Sequence, residues 1–290
     1  MTIASIPSPG SGTLDLGPLT IHMYGLTLLL AIAACTVLTG RRWVARGGDW
    51  DLILRLAVWG VAAGIVGARL YHLATSWDEV PTEWWGPFAI WRGGLGVWGG
   101  VAAGCLVGGI VAKRAGADVW LLADCLAPGL LLAQGIGRLG NWWNQELYGK
   151  ATDLPWALEI DPANRPEPFT SQAATYHPTF LYELLWDLLA VAVLLLVVER
   201  RLKPRPPGVF AAYIALYCFG RFWVEQLRVD QAHEIAGMRL NGWVAALGFV
   251  AGAVWYWRSQ RGSRPRRRKA APPPKGPTMA VPRSRVRPRG

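Results

Sequence analysis

The sequence predicts an all-α polytopic membrane protein. It should have seven transmembrane helices, its N-terminus outside and C-terminus inside (N-out/C-in), and a small extracytoplasmic head between spans 4 and 5. Three observations predict this class. The 290 residues are 52% hydrophobic and only 17% charged, with 17 Trp and a mean hydropathy of +0.23, whereas an average soluble domain is about a quarter charged. Seven segments approach the roughly 20 apolar residues that a membrane helix needs. Lys and Arg are shared unequally between alternate loops, 21 on one side against 4 on the other, and the richer side faces the cytoplasm. Without the C-terminal tail the division is still 9 to 4.

In chain order, residues 1–19 form an extracytoplasmic segment with no Lys or Arg, so the first apolar run lacks the basic start of a signal peptide. The seven-span membrane domain covers 20–257, with spans at 20–39, 52–74, 89–112, 119–138, 179–198, 208–226 and 239–257. The third and fourth are rich in Gly, which suits close helix packing in lipid. The head, at about 139–178, is polar and rich in Pro and Gly, and Leu154–Ile160 is expected to add a short strand. Residues 258–290 hold 12 of the 30 Lys and Arg and no Asp or Glu. That composition predicts a disordered cytoplasmic tail beside anionic lipid.

The formal net charge of +11 therefore belongs to the tail, since residues 1–257 carry 18 basic against 19 acidic groups. Nothing in this distribution calls for a nucleic-acid partner. Cys35, Cys105, Cys125 and Cys218 lie singly in apolar runs, as buried thiols do. The four His lack metal-ligand spacing, so no metal and no cofactor is expected.

Ionisable groups within spans are costly and mark functional candidates. Here they gather at the outward ends. Arg138 closes the fourth span and is followed by Asn141, Asn144, Glu146, Tyr148 and Gly149. Tyr217, Arg221 and Glu225 share one face of the sixth span at four-residue spacing, with Arg228 just beyond. His177-Pro178 starts the fifth span, one turn before Tyr182 and Glu183, and Tyr24 lies near the outer end of the first. Guanidinium is always charged and its planar fork suits phosphate oxygens, so two arginines at headgroup depth point to a lipid phosphate. On position alone, a structural Arg221–Glu225 pair and a snorkelling Arg138 fit equally well. His177 reads as a helix-start hydrogen-bonder before it reads as a base, and Asp124 as a partner for a neighbouring helix. The Gly-rich run Trp91–Gly100 opening the third span could offer N–H groups to a phosphate, although Gly there also serves packing.

The run Gly137-Arg138-Leu139-Gly140-Asn141-Trp142-Trp143-Asn144-Gln145-Glu146-Leu147-Tyr148-Gly149 resembles the signature G-R-x-G-N-x-x-N-x-E-x-x-G of the bacterial phosphatidylglycerol–prolipoprotein diacylglyceryl transferase family. Supporting matches include Tyr24-Gly25, Gly67-Ala68-Arg69, Ala123-Asp124, Ala127-Pro128, His177-Pro178-Thr179, Leu181-Tyr182-Glu183 and Gly220-Arg221-Phe222 with Glu225 and Arg228. Together they span about residues 15–257. The resemblance implies a multi-pass enzyme of the bacterial plasma membrane with its active site toward the extracytoplasmic face. It would transfer the diacylglyceryl group of phosphatidylglycerol to the lipobox cysteine thiol of a preprolipoprotein, forming a thioether and releasing glycerol phosphate. Its partners would be these two substrates and membrane lipid. Arg138 and Arg221 would hold and stabilise the departing phosphate, with Asn141, Asn144 and Tyr24 bonding headgroup oxygens. Glu146 and Glu225 would orient the arginines or take a proton, and Gly149 would allow close backbone approach. Tyr217, His177 and Trp98 complete the expected substrate-binding set.

Two positions depart from the family pattern. Trp98 stands where many members have His, and an indole N–H cannot accept the thiol proton. Either another group serves, with Glu146, Glu225 and His177 the available bases, or nearby arginines lower the thiol pKa, or the departing phosphate accepts the proton, so that no base is required at position 98. Gln145 stands where many members have Gly, which bears on the loop's conformation. A lipid transporter or flippase using the same arginines for headgroup recognition is the competing class, but such proteins often show paired halves and none is visible here.

Overall fold

A computed structural model describes residues 5–17, 19–165 and 175–261 of the chain. The expected basic tail lies, from 262 onward, outside the described residues. Seven long helices run through the described residues. They are α1 (Met23–Val44), α2 (Trp50–Thr75), α3 (Val97–Arg114), α4 (Val119–Trp143), α5 (Thr179–Ala192), α6 (Gly208–Leu227) and α7 (Leu240–Arg261). α5 continues as a wider π-type helix over Val193–Leu202. Five of them (α1 to α4, and α5 with its continuation) are long and apolar enough to cross a membrane. Their apolar faces point outward, with Leu29, Val58 and Leu106 each at least 63% exposed. In water such a surface would drive association, whereas in lipid it faces its own kind of solvent.

The helices pack largely as pairs, α1 on α4, α2 on α3 and α6 on α7, with α4 also meeting α5 and α6. Small residues make the α2–α3 seam. A Cβ on Gly67 would stand 2.5 Å from the Gly99 carbonyl oxygen, and one on Gly99 would stand 2.3 Å from that of Gly67. Backbones that meet this closely gain dispersion contacts unavailable to larger residues. In α4, Pro128 has no N–H, so the Asp124 carbonyl lacks its helical donor. Arg42 of α1 fills the gap, donating from Nη2 to Asp124 O at 2.9 Å and from Nε to Cys125 O at 3.0 Å. Glu199 then pairs with both Arg42 and Arg46. Asp124 itself accepts the Phe210 backbone N–H at 2.9 Å, joining α4 to the start of α6 as expected of a helix partner.

Several expected boundaries shift. The third helix starts at Val97 rather than 89, because Gly93 (φ 87°) and Gly94 (φ 71°) adopt left-handed conformations and Ile90–Arg92 is only a short 3-10 turn. Arg69 pins this loop, donating to the carbonyls of Gly86, Pro87, Gly93 and Gly94 at 2.6–3.0 Å. The fourth helix runs on to Trp143, so Arg138 and Asn141 sit inside it rather than at its end. The seventh reaches Arg261, so Arg258 and Arg261 are helical and not part of a tail. Cys105 is exposed on α3, unlike the buried thiol expected.

The head has a small core of its own, Tyr148, Leu158, Ile160, Tyr176 and Phe180. Only Leu158–Glu159 of the expected strand is extended as β3, pairing antiparallel with β4 (Thr175–Tyr176), since Pro155-Trp156 turns the chain. The N-terminal segment joins this core through Ile6, whose N–H donates to Ala157 O at 2.7 Å and whose carbonyl accepts from Glu159 N at 2.9 Å. A hairpin of Thr13–Leu16 (β1) and Leu19–His22 (β2) then leads into α1, in place of the helix start expected at residue 20.

Candidate active site

The C-terminal turns of α4 and α6 and the first turns of α5 meet beside the head, and each brings charge. Arg138 lies five residues before the end of α4, and its Nε makes an ion pair with Glu183 Oε2 of α5. Arg221 of α6 pairs through Nη1 with Glu183 Oε1 and through Nη2 with Glu225 Oε2, the latter at 2.6 Å. Glu183 thus holds both guanidinium groups on one carboxylate. It is 6% exposed, and Glu225 is fully buried. Among the described residues neither Arg138 Nη2 nor Arg221 Nε donates a hydrogen bond, which leaves each guanidinium a donor for an incoming anion.

The signature run continues the same network. Arg138 Nη1 donates to Asn141 Oδ1 at 3.3 Å, and Asn141 Nδ2 donates to Glu146 Oε1 at 2.8 Å. Glu146 keeps its second oxygen unengaged among the described residues, whereas both oxygens of Glu183 and of Glu225 are taken. Gln145 adopts φ 52°, the left-handed region that Gly favours. Its amide compensates, donating to Asp161 Oδ2 at 2.6 Å and accepting the Asp161 N–H at 2.8 Å. Gly149 closes the run where no Cβ fits, since one would stand 2.8 Å from His177 Cβ and 3.1 Å from the Leu227 carbonyl oxygen. There the chain exchanges backbone hydrogen bonds with the entry to α5, Gly149 N to His177 O and His177 N to Lys150 O, both at 2.9 Å.

The other candidates fall around this core. The Tyr24 ring lies over Gly140, where an added Cβ would come within 2.6 Å of it. Tyr217 sits one turn below Arg221, within electrostatic reach of Arg138, Glu183 and Arg221. Asn144 and Glu146 line an open cleft of about 430 Å³ together with Tyr148, Asn164, Arg165 and Asp230. The His177 ring shares a 3.1 Å hydrogen bond with the Tyr182 hydroxyl, the helix-start role anticipated for it. Burial, and then the charge of Lys150, hold its pKa below the usual imidazole value. Burial pushes the Tyr148 phenol up to about 12, so it serves as a donor, to Asn164 O at 2.9 Å. Trp98 stands apart, 60% exposed on the first turn of α3.

Four residues outside the expected set belong to the arrangement. Glu183 stood among the ionisable groups marked in the fifth span without a role of its own, because its bridging role depends on three helices meeting. Asp187, one turn deeper, is 2% exposed with Oδ2 unpartnered among the described residues. Arg239 and Asp230 lie between α6 and α7, where charge is ordinary in a sequence. Arg239 donates from Nε to Glu225 Oε1 at 2.7 Å, and Asp230 accepts from Arg228 Nε at 2.6 Å and from Arg239 Nη2 at 2.9 Å. Burial alone would raise the pKa of Asp230, but these two arginines take it below the ordinary carboxylate value.

Known proteins resemble this chain along most of its length. The family model for prolipoprotein diacylglyceryl transferase matches residues 12–258. The phosphatidylglycerol–prolipoprotein diacylglyceryl transferase of Frankia alni is 50% identical over 88% of this chain and 67% of the relative. Enzyme 1 of that name from Streptomyces coelicolor is 46% identical over 94% and 79%, and the Cutibacterium acnes enzyme 49% identical over 86% and 84%. With the match running from the hairpin before α1 to the last helix, the chain belongs to the prolipoprotein diacylglyceryl transferase family.

Proposed function

We propose that the chain is a phosphatidylglycerol–prolipoprotein diacylglyceryl transferase of the bacterial plasma membrane, with seven spans, N-out and C-in, and the reaction at the extracytoplasmic face. The observation that carries the reading is the convergence of Arg138 and Arg221 on one buried carboxylate, each with a donor to spare. The cysteine sulfur of the lipobox attacks the glycerol carbon that bears the phosphodiester oxygen. The C–S bond forms, the C–O bond breaks, and glycerol phosphate leaves with the electron pair of that bond. Charge grows on the leaving phosphate, where fixed guanidinium groups in a poorly solvated site act most strongly. Asn141 accepts a hydrogen bond from Arg138, and the Tyr24 ring packs on Gly140, the residue before Asn141 in the chain.

The thiol must lose its proton, and only about 3% of a free thiol is ionised at pH 7. Glu146 suits the acceptor role best, because it alone of the three glutamates keeps an oxygen free. Glu225, engaged on both oxygens, orients Arg221 instead. Trp98 needs no base function in this scheme. Purified protein incubated with phosphatidylglycerol and a lipobox peptide should raise the peptide mass by one diacylglyceryl unit, and a Cys→Ser peptide should gain nothing. An intact, folded sample that leaves the peptide unchanged would overturn the reading, and movement of phosphatidylglycerol between leaflets by that sample would favour a transporter.

A further inference from the structure

We infer that Arg239 is a positioning residue for anion recognition, supplying Glu225 with a second cation so that Glu225 does not quench Arg221. The inference rests on the phosphate-binding role proposed for Arg221. Arg239 cannot take a phosphate itself, because its Nε is given to Glu225 at 2.7 Å, its Nη1 to the Asp230 carbonyl at 2.7 Å, and its Nη2 to the Asp230 carboxylate at 2.9 Å. Its side chain is 12% exposed. It enters from β6 (Met238–Arg239), the second strand of a short hairpin with β5 (Glu234–Ile235), just ahead of α7.

Glu225 is fully buried, out of contact with bulk solvent, so its field falls mainly on the cations that stand beside it. With Arg221 as its sole close partner, the pair would be nearly neutral toward a ligand. Glu183 draws on Arg221 as well, which deepens the deficit. Arg239, with Asn241 donating at 3.4 Å, takes up the Glu225 charge at Oε1, the oxygen that Arg221 leaves, while Arg228 stands 3.9 Å from Oε2 beside Arg221. The connected ion pairs join Arg138, Arg221, Arg228 and Arg239 to Glu183, Glu225 and Asp230. Four cations against three anions give these ion pairs a net +1, the sign that draws a phosphodiester. Among the described residues Glu146 and Asp187 make no ion pair with any member, although Asp187 lies within electrostatic reach of Arg138, Arg221 and Glu183. Without Arg239 the network is neutral, and its pull on an anion falls.

The test uses the full chain in nanodiscs with phosphatidylglycerol as the probe, reading lipid affinity directly and KM and kcat with a lipobox peptide. Arg239→Met keeps the apolar stem and removes the charge. It should raise Kd and KM for phosphatidylglycerol by about 10-fold while kcat stays within about 3-fold. Arg239→Lys should recover most of that affinity. Asp230→Asn removes an anion from the network and should tighten phosphatidylglycerol binding, the opposite of what a merely structural contact predicts. The inference fails if Arg239→Met binds phosphatidylglycerol as wild type does. It fails equally if Asp230→Asn weakens binding as much as Arg239→Met, which also covers a Met variant that does not fold. A wild-type protein that binds phosphatidylglycerol but never modifies the peptide would remove the transferase reading while leaving the affinity test of Arg239 intact.

Discussion

Arg138 and Arg221 are each bound to Glu183 in a way that a point charge cannot reproduce. A guanidinium can hold Glu183 with one nitrogen and still offer another to substrate, whereas a lysine ammonium has no planar fork to divide between them. Arg138→Lys and Arg221→Lys should each lower kcat/KM by about 100-fold or more in the peptide assay. Near wild-type turnover in both would remove them from the reaction. His177 makes a second residue-scale prediction. Its pKa is held below the ordinary imidazole value by burial and Lys150, so as pH falls the unfolded chain takes up its proton first, near 6.5. Its effect on stability is therefore absent above about pH 6.5 and becomes an increasing loss as pH falls toward the native-state pKa. A thermal unfolding series from pH 7.5 to 5 should show a smaller decline in His177→Asn than in wild type. An identical decline in both would mean that this imidazole is not the group responsible.

At the scale of elements, the α2–α3 pair depends on glycine in both partners. The Gly67 and Gly99 backbones already meet so closely that Gly99→Leu must push the helices apart or strain its own side chain. A destabilisation of about 1–3 kcal/mol is expected, measured as a fall in the unfolding midpoint in detergent. An unchanged midpoint would mean that the seam contributes little. The same reasoning accounts for the misplaced start of the third helix. Apolar content across 89–96 reads as membrane span, but Arg69 draws four carbonyls of the 86–94 loop onto one guanidinium, and carbonyls turned that way cannot continue a helix ladder. The motif Gly67-Ala68-Arg69 was legible, but its partners were not, because they lie 17 to 25 residues away. Gln145 shows the reverse case. A side chain unsuited to a left-handed turn is accommodated through Asp161, a residue no local rule connects to it.

For the whole molecule, the charge asymmetry predicts N-out and C-in. Single-cysteine variants in sealed, right-side-out vesicles should label with an impermeant reagent at position 152 and remain unlabelled at 203 until lysis. The opposite pattern would invert the proposed topology and put the site on the cytoplasmic side. By itself the sequence determined the class of protein, the approximate place of every long helix and most of the residues now found around the arginines. It could do so because apolar length, loop charge and a contiguous 13-residue run are all local along the chain. Tertiary structure alone decided that Glu183 unites Arg138 with Arg221, that Glu146 keeps an oxygen free while Glu225 does not, and that Arg239 reaches back to Glu225. The Glu183 contacts cross between helices, 38 residues apart for Arg221, and Arg239 reaches Glu225 across 14. Which donor meets which acceptor depends on how helices settle against one another, and no spacing along the chain encodes that.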